Sequence, residues 1–172
     1  TGAATVAFSS NGTFTDLSAG SYTVNVVDAE GCVATVDITL VAPTPIDATF
    51  TPSTTTLSCF GDQNASITVT NVTGGQGVDY VYTLNTILPT PATSGPQTSN
   101  VFTDLGAGTY TVIVNDTNEC FLTSQEIVIT EPTPIIANLV VTSTQTCDVE
   151  STITLSASGG TGTYQYSNDS NF

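Results

Sequence analysis

Phe102-Thr103-Asp104-Leu105-Gly106-Ala107-Gly108-Thr109-Tyr110-Thr111-Val112 is the stretch that decides the fold, because it occurs twice. Its other copy is Phe14-Thr15-Asp16-Leu17-Ser18-Ala19-Gly20-Ser21-Tyr22-Thr23-Val24, displaced by 88 positions. The same displacement of 88 separates Cys32 from Cys120 and Cys59 from Cys147. Ala42-Pro43-Thr44-Pro45-Ile46 returns as Glu131-Pro132-Thr133-Pro134-Ile135 with one residue inserted, and Gly74-Gly75-Gln76-Gly77 returns as Gly159-Gly160-Thr161-Gly162. Agreement at several independent points marks an internal repeat.

The Pro-Thr-Pro segments suit domain junctions, since proline stiffens a linker and cannot donate to a strand ladder. They divide the chain into the C-terminal half of one repeat (1–43), a complete repeat (44–132) and the N-terminal half of the next (133–172). Within the complete repeat, apolar residues alternate with polar ones at Ile67 and Val69, at Tyr80, Tyr82 and Leu84, and at Tyr110, Val112 and Val114. That period of two predicts strands, with others through Ala48 and Phe50 and through Ile127 and Ile129. Gly74-Gly75, Gly95-Pro96 and residues 115–119 read as the turns between them. The expected fold is all-β: tandem immunoglobulin-like β-sandwich repeats of about 88 residues. Leu105 to Tyr110 has the form of a tyrosine corner, with Tyr110 and Tyr22 bonding back across a turn. Gly108 and Gly20 are expected to supply the backbone freedom of that turn.

Composition narrows the function classes. The 172 residues include no Lys, Arg or His, and 15 acidic residues set the net charge at −15. Such a field repels phosphate backbones and anionic lipid, which excludes nucleic acid and membrane-surface binding. No apolar run approaches the roughly 20 residues of a membrane span. With 39% hydrophobic residues, Val the commonest among them, the chain is too apolar for an acidic disordered tail. No signal peptide is visible and Thr1 opens in mid-pattern, so the sequence reads as a piece of something longer.

A wider pattern joins these pieces: Cys59-Phe60-Gly61-Asp62, a strand, Gly74-Gly75, Tyr80 to Tyr82, Phe102 to Val112, Asp116 and Cys120. It resembles the SprB repeat. The first part of the chain carries the back half of the pattern, with Asp28, Gly31 and Cys32. The last carries the front half with Cys147, although Asp148-Val149 replaces Phe-Gly there. The resemblance implies a very large, repetitive adhesin, exported by type IX secretion onto the surface of gliding bacteria. Other parts of such a protein engage the gliding and secretion machinery, and its partners are neighbouring repeats and external surfaces or polysaccharide. The family has no catalytic residues to transfer.

The residues agree with a non-enzymatic role. General acid–base chemistry near neutral pH mostly draws on His, or on Lys and carboxylates with shifted pKa, and His and Lys are absent. No cofactor is implied, but Ca²⁺ is the candidate ligand. Asp28 and Glu30, and again Asp116 and Glu119, cluster in the turn before the last strand, where carboxylates facing a neighbouring domain would bind it. The competing reading is a solvated hairpin with Asx-type bonds. Tyr80, Tyr82, Tyr164 and Tyr166 would stack on sugars if exposed, and form core if not. Asn11, Asn64, Asn71, Asn115 and Asn168 head Asn-x-Ser/Thr sequons.

Four cysteines without histidine and without short paired spacings read as disulfides of an extracellular protein. Cys59 and Cys120 share a repeat, which favours their pairing. Immunoglobulin strand order instead sets them at opposite ends of the sandwich, about 20 Å apart. The other arrangement links each cysteine of the Cys32 and Cys120 type to the Cys59 or Cys147 type of the preceding repeat. As a whole, a carbohydrate-binding or spacer module attached to a secreted hydrolase is the alternative to the adhesin.

Overall fold

The computed structural model describes residues 11–77 and 79–167. Among them there is no helix, and the strands are β1 (Gly20–Val27), β2 (Val33–Leu40), β3 (Thr44–Pro52), β4 (Ala65–Gly75), β5 (Tyr80–Leu88), β6 (Ala92–Gln97), β7 (Val101–Leu105), β8 (Gly108–Asp116), β9 (Phe121–Thr123), β10 (Ile127–Ile129), β11 (Ile136–Ser143) and β12 (Thr152–Ser158). The chain forms two compact units, Thr1–Thr44 and Pro45–Phe172.

In the larger unit, β3, β4 and β7 make one antiparallel sheet, and β10, β8, β5 and β6 make a second, with β9 also on β8. Two sheets in this order are the immunoglobulin-like arrangement expected from the sequence. The alternation sets the core directly. On β8, Tyr110, Val112 and Val114 point inward and are buried, opposite Ile67 and Val69 of β4 and Tyr82 and Leu84 of β5. Leu57 and Ile129 close the core at one end and Ile46 at the other. Each fully buried Val, Leu or Ile contributes roughly 1.5–3 kcal/mol relative to exposure.

Gly95-Pro96, expected to be a turn, lies inside β6 instead. β6 is an edge strand, and its pairing with β5 shifts between Tyr82↔Gln97 and Leu84↔Ser94. The two residues oppose Thr83 alone, so the proline, which has no N–H to donate, sits at a bulge where no ladder bond is lost. The strand β7 was hidden by a second bulge: Thr103 and Asp104 oppose Ser66 alone, between Ala65↔Leu105 and Ile67↔Phe102.

Two further hairpins stand on their own sheets. In the smaller unit β1 and β2 pair in unbroken register from Gly20↔Leu40 to Val27↔Val33. One face carries Tyr22, Val24, Val26, Ala34, Val36 and Ile38, and the other Ser21, Thr23, Asn25, Thr35, Asp37 and Thr39. In the larger unit β11 and β12 pair as Leu139↔Leu155 and Val141↔Ile153, which likewise gathers apolar side chains on one face.

Candidate functional site

The repeated residues do their work at corners. Tyr110 donates its hydroxyl to the Gly106 carbonyl at 2.9 Å, and Tyr22 donates to Ser18 at 2.6 Å. Both are tyrosine corners, four residues deep, and burial pushes the Tyr110 phenol above its ordinary pKa. The glycines serve them differently from the expectation. Neither Gly108 nor Gly20 has a positive φ, and the left-handed residues are Asp104 (φ 59°) and Asp16 (φ 58°). Aspartate tolerates that region, and here its carboxylate accepts from the preceding hydroxyl, Thr103 to Asp104 at 2.7 Å and Thr15 to Asp16 at 3.0 Å. Gly108 is needed for space, because a Cβ there would stand 2.5 Å from the Leu88 carbonyl oxygen. Gly20 has no such neighbour, only Tyr22 at ordinary contact distance.

A second corner joins the chain entry to the end of β4. Gly74 and Gly75 have φ of 83° and 75°, and a Cβ on Gly74 would lie 2.0 Å from the Pro45 carbonyl oxygen. Tyr80 donates its hydroxyl to the Gly74 carbonyl at 2.7 Å. The arrangement recurs with Gly159, Pro134 and Tyr164: a Cβ on Gly159 would meet the Pro134 carbonyl at 2.1 Å, and Tyr164 donates to Gly159.

Asp116 ties this corner to the β8–β9 hairpin. One carboxylate oxygen accepts from the backbone N–H of Gln76 (2.7 Å) and Gly77 (3.2 Å), the other from Asn118 (2.8 Å) and Cys120 (2.9 Å). These donors, Gln76 first, hold its carboxyl below the usual carboxylate range against the opposing effect of burial. At 6% exposure and with both oxygens occupied, Asp116 is a structural acceptor. Asp28 begins the same turn, accepting from the Cys32 N–H at 2.7 Å. Of the four calcium candidates, Asp28 and Asp116 thus accept backbone N–H groups of their own turns. Glu30 and Glu119 point to solvent, and no group of three or more acidic or cysteine side chains able to hold a metal exists among the described residues. The Asx-bonded hairpin accounts for the turn.

Cys32, Cys59 and Cys147 are exposed, Cys120 is half-buried, and all four are free thiols. Burial, and then the Asp116 charge, push the Cys120 thiol up. The Cys59–Cys120 pairing is ruled out by distance. Cys59 follows Leu57, whose N–H bonds Thr130 beside the Gly108↔Ile129 pair, whereas Cys120 precedes the Asn115↔Phe121 pair. The length of β8 separates them, about 24 Å at 3.3–3.4 Å per residue, against the roughly 7 Å limit between the Cα atoms of a disulfide.

Tyr82 is core, Tyr80 is half-buried and anchored to Gly74, and Tyr164 and Tyr166 are exposed. The sequon at Asn168 lies outside the described residues. Sequence reasoning missed the Asp116 acceptor and the left-handed aspartates. Comparing the copies would have found both, since Asp28/Asp116 and Asp16/Asp104 recur while Glu30 is answered by Asn118 and Gly31 by Glu119. An acid that binds metal through its neighbours would not keep its place while those neighbours change.

No curated protein and no solved structure matches the chain. Residues 51–88, from the end of β3 through β5, match the family model described as SprB repeat. The matched stretch holds Cys59 to Asp62, the Gly74-Gly75 corner and the Tyr80–Tyr82 strand, and over those residues the chain is similar to the SprB repeat.

Proposed function

We propose that the chain is a structural and adhesive segment of a secreted bacterial surface adhesin. It acts as a stalk of immunoglobulin-like repeats that carries contact away from the cell. The units of that stalk are 1–43, 44–132 and 133–172, the outer two being the halves of further repeats. The observation that carries this reading is the duplication of corners: the tyrosine corner at Tyr22 and Tyr110, and the glycine–proline corner at Gly74 and Gly159. What recurs is the apparatus that shapes a sandwich and fixes where the chain enters it, rather than a cleft or a reactive group. Repetition of a small body yields reach, because each body touches only its neighbours.

The SprB repeat supports export to the cell surface and a non-enzymatic role. Within the proposal the full-length protein leaves by type IX secretion, is moved by the gliding machinery and grips external surfaces or polysaccharide. Absence of Lys and Arg removes every trypsin site from an exposed fibre. Antibodies raised against this chain are expected to label intact cells of the source organism, and the label is expected to resist trypsin and to be removed by a broad-specificity protease. Labelling that needs permeabilised cells would overturn the assignment.

A further inference from the structure

The two cysteines of the central sandwich stand at its opposite ends, and each is fixed by the turn that carries it. Cys59 opens a turn where the chain leaves the sandwich, since Leu57 just before it bonds Thr130. Its N–H donates to the Asp62 carboxylate at 2.9 Å, the Asp62 N–H donates back to the Cys59 carbonyl at 3.3 Å, and the Gly61 N–H reaches Glu131, the residue before Pro132, at 2.7 Å. Cys59 itself is exposed. Cys120 lies where the chain enters. Its N–H donates to one oxygen of Asp116 while the Gln76 N–H takes the other, and the same Gln76 N–H lies against the Cys120 thiol.

The glycine–proline corner relates these two ends. Gly74-Gly75-Gln76-Gly77 is folded against Pro45, and Gly159-Gly160-Thr161-Gly162 is folded against Pro134 in the same geometry. The leading glycines have φ of 83° and 82°, and a Cβ on either would lie 2.0 or 2.1 Å from the proline carbonyl oxygen. Thr161 therefore occupies the place that Gln76 holds in the central sandwich. Its hydroxyl donates to the Ser58 carbonyl at 3.4 Å, and the Cα of Cys59 follows that of Ser58 by about 3.8 Å. The loop position that stands beside Cys120 in one copy of the corner thus stands beside Cys59 in the other.

We infer that Cys59 forms a disulfide with the Cys120-type cysteine of the repeat that follows, so that the joint at Pro132-Thr133-Pro134 carries a covalent bond beside its backbone. This rests on the repeat reading proposed above, in which 133–172 opens a further repeat. The length of β8 keeps Cys59 from Cys120 of its own repeat, whereas the Thr161 contact brings the next repeat's entry loop to it. A disulfide oxidant, a small-molecule or protein disulfide, completes the step. The two thiols lose two protons and two electrons, the S–S bond forms, and the oxidant is reduced to two thiols.

Two measurements test it. Thr161→Cys, in this chain with Cys32, Cys120 and Cys147 replaced by serine, sets a thiol on the loop position itself. Oxidised glutathione is expected to join it to Cys59 within one monomer, read as the loss of both alkylatable thiols and as one cross-linked peptide. Thr117→Cys, at the entry end, is expected to leave both thiols free. Unchanged NMR amide positions of Val112 and Val114 show that the central sandwich still folds in each variant. The full-length protein, taken from cells into iodoacetamide and digested without reduction, is expected to yield Cys59 joined to a peptide of the Cys120 type whose sequence surrounds neither Cys32 nor Cys120. A Thr161→Cys chain that stays reduced overturns the inference, and so does a Cys59 from cells that is alkylated or joined to Cys120. Such a failure leaves the labelling of intact cells untouched, so the two readings fall separately.

Discussion

Replacing Gly74 by alanine tests the corner that fixes the chain entry, with Gly61→Ala as its control. Both glycines are left-handed, at φ 83° and 81°, but a Cβ on Gly61 meets nothing within 4 Å. At Gly61 the cost is only the left-handed backbone of an L-residue, about 1–2 kcal/mol. Reduced freedom of the unfolded chain offsets about 0.4–1 kcal/mol of it, leaving a net cost of about 1 kcal/mol. At Gly74 the same term applies, and the new Cβ would also lie 2.0 Å from the Pro45 carbonyl oxygen. That neighbour is backbone and has no rotamer to change, so β3 must draw back and take Ile46 (5% exposed) from the core. Losing much of that burial adds roughly 1.5–3 kcal/mol, for a total of about 2.5–4 kcal/mol. Urea titrations of the whole chain, read from the amide resonances of Val112 and Val114, give the two values side by side. Equal costs at Gly61 and Gly74 would refute the claim that the close approach to Pro45 is what the glycine serves.

Tyr110→Phe leaves the half-buried Gly106 carbonyl without its donor and is expected to cost about 1–2 kcal/mol. Tyr22→Phe removes an exposed bond that water replaces, at under about 0.5 kcal/mol, and the same urea titration compares them. Asp116 has its carboxyl pKa lowered by the fold, so its stabilising contribution is present above the unfolded carboxylate pKa and is lost as pH falls through the lower folded value. The stability gap between wild type and Asp116→Asn is therefore expected to be constant near neutrality and to shrink below the usual carboxylate range; a gap that widens in acid contradicts the assignment. In the reduced protein Cys120 is expected to be alkylated more slowly than Cys32, Cys59 and Cys147 at pH 8, because burial and the Asp116 charge disfavour its thiolate; peptide mass mapping over time measures the order.

Most of the sandwich was legible because its strands obey one rule. Where a strand is half-buried, as in β4, β5 and β8, the period of two appears in the sequence and the core residues name themselves. β6 and β7 were not legible, since bulges at Gly95-Pro96 and Thr103-Asp104 break that period at the point where it would be noticed. The corner at Tyr110 was visible as a motif, but the division of labour inside it was not: glycine at a turn suggests φ freedom, and only the approach of the Leu88 carbonyl shows that Gly108 is there for want of room. The acidic turn offered two readings in the sequence, calcium ligands or an Asx-bonded hairpin, for a related reason. Charge counts describe how many carboxylates share a loop, whereas a metal site depends on which oxygens remain free, and Asp116 has spent both of its own on backbone donors.

The two ends of residues 45–131 are secured by different means, and the difference bears on tension along the proposed stalk. At the entry, Pro45 is held by the Gly74 corner, and Asp116 binds that corner to the β8–β9 hairpin of the other sheet. At the exit, Thr56 and Thr130 form a parallel bridge in which Leu57 donates to Thr130 at 2.8 Å and Thr130 donates to Thr55 at 3.0 Å. The two threonine hydroxyls meet at 3.0 Å, and the Gly61 N–H reaches Glu131 at 2.7 Å. A pull on the chain ends draws such a parallel pair along its own length, so its bonds must fail together instead of one after another. Removing the bond donors of a single residue would then weaken the body against force far more than against urea, because urea does not act along any one direction. Thr130 is the residue where that difference concentrates: both its N–H and its hydroxyl bond to Thr55, and it lies one residue before the Glu131-Pro132 junction.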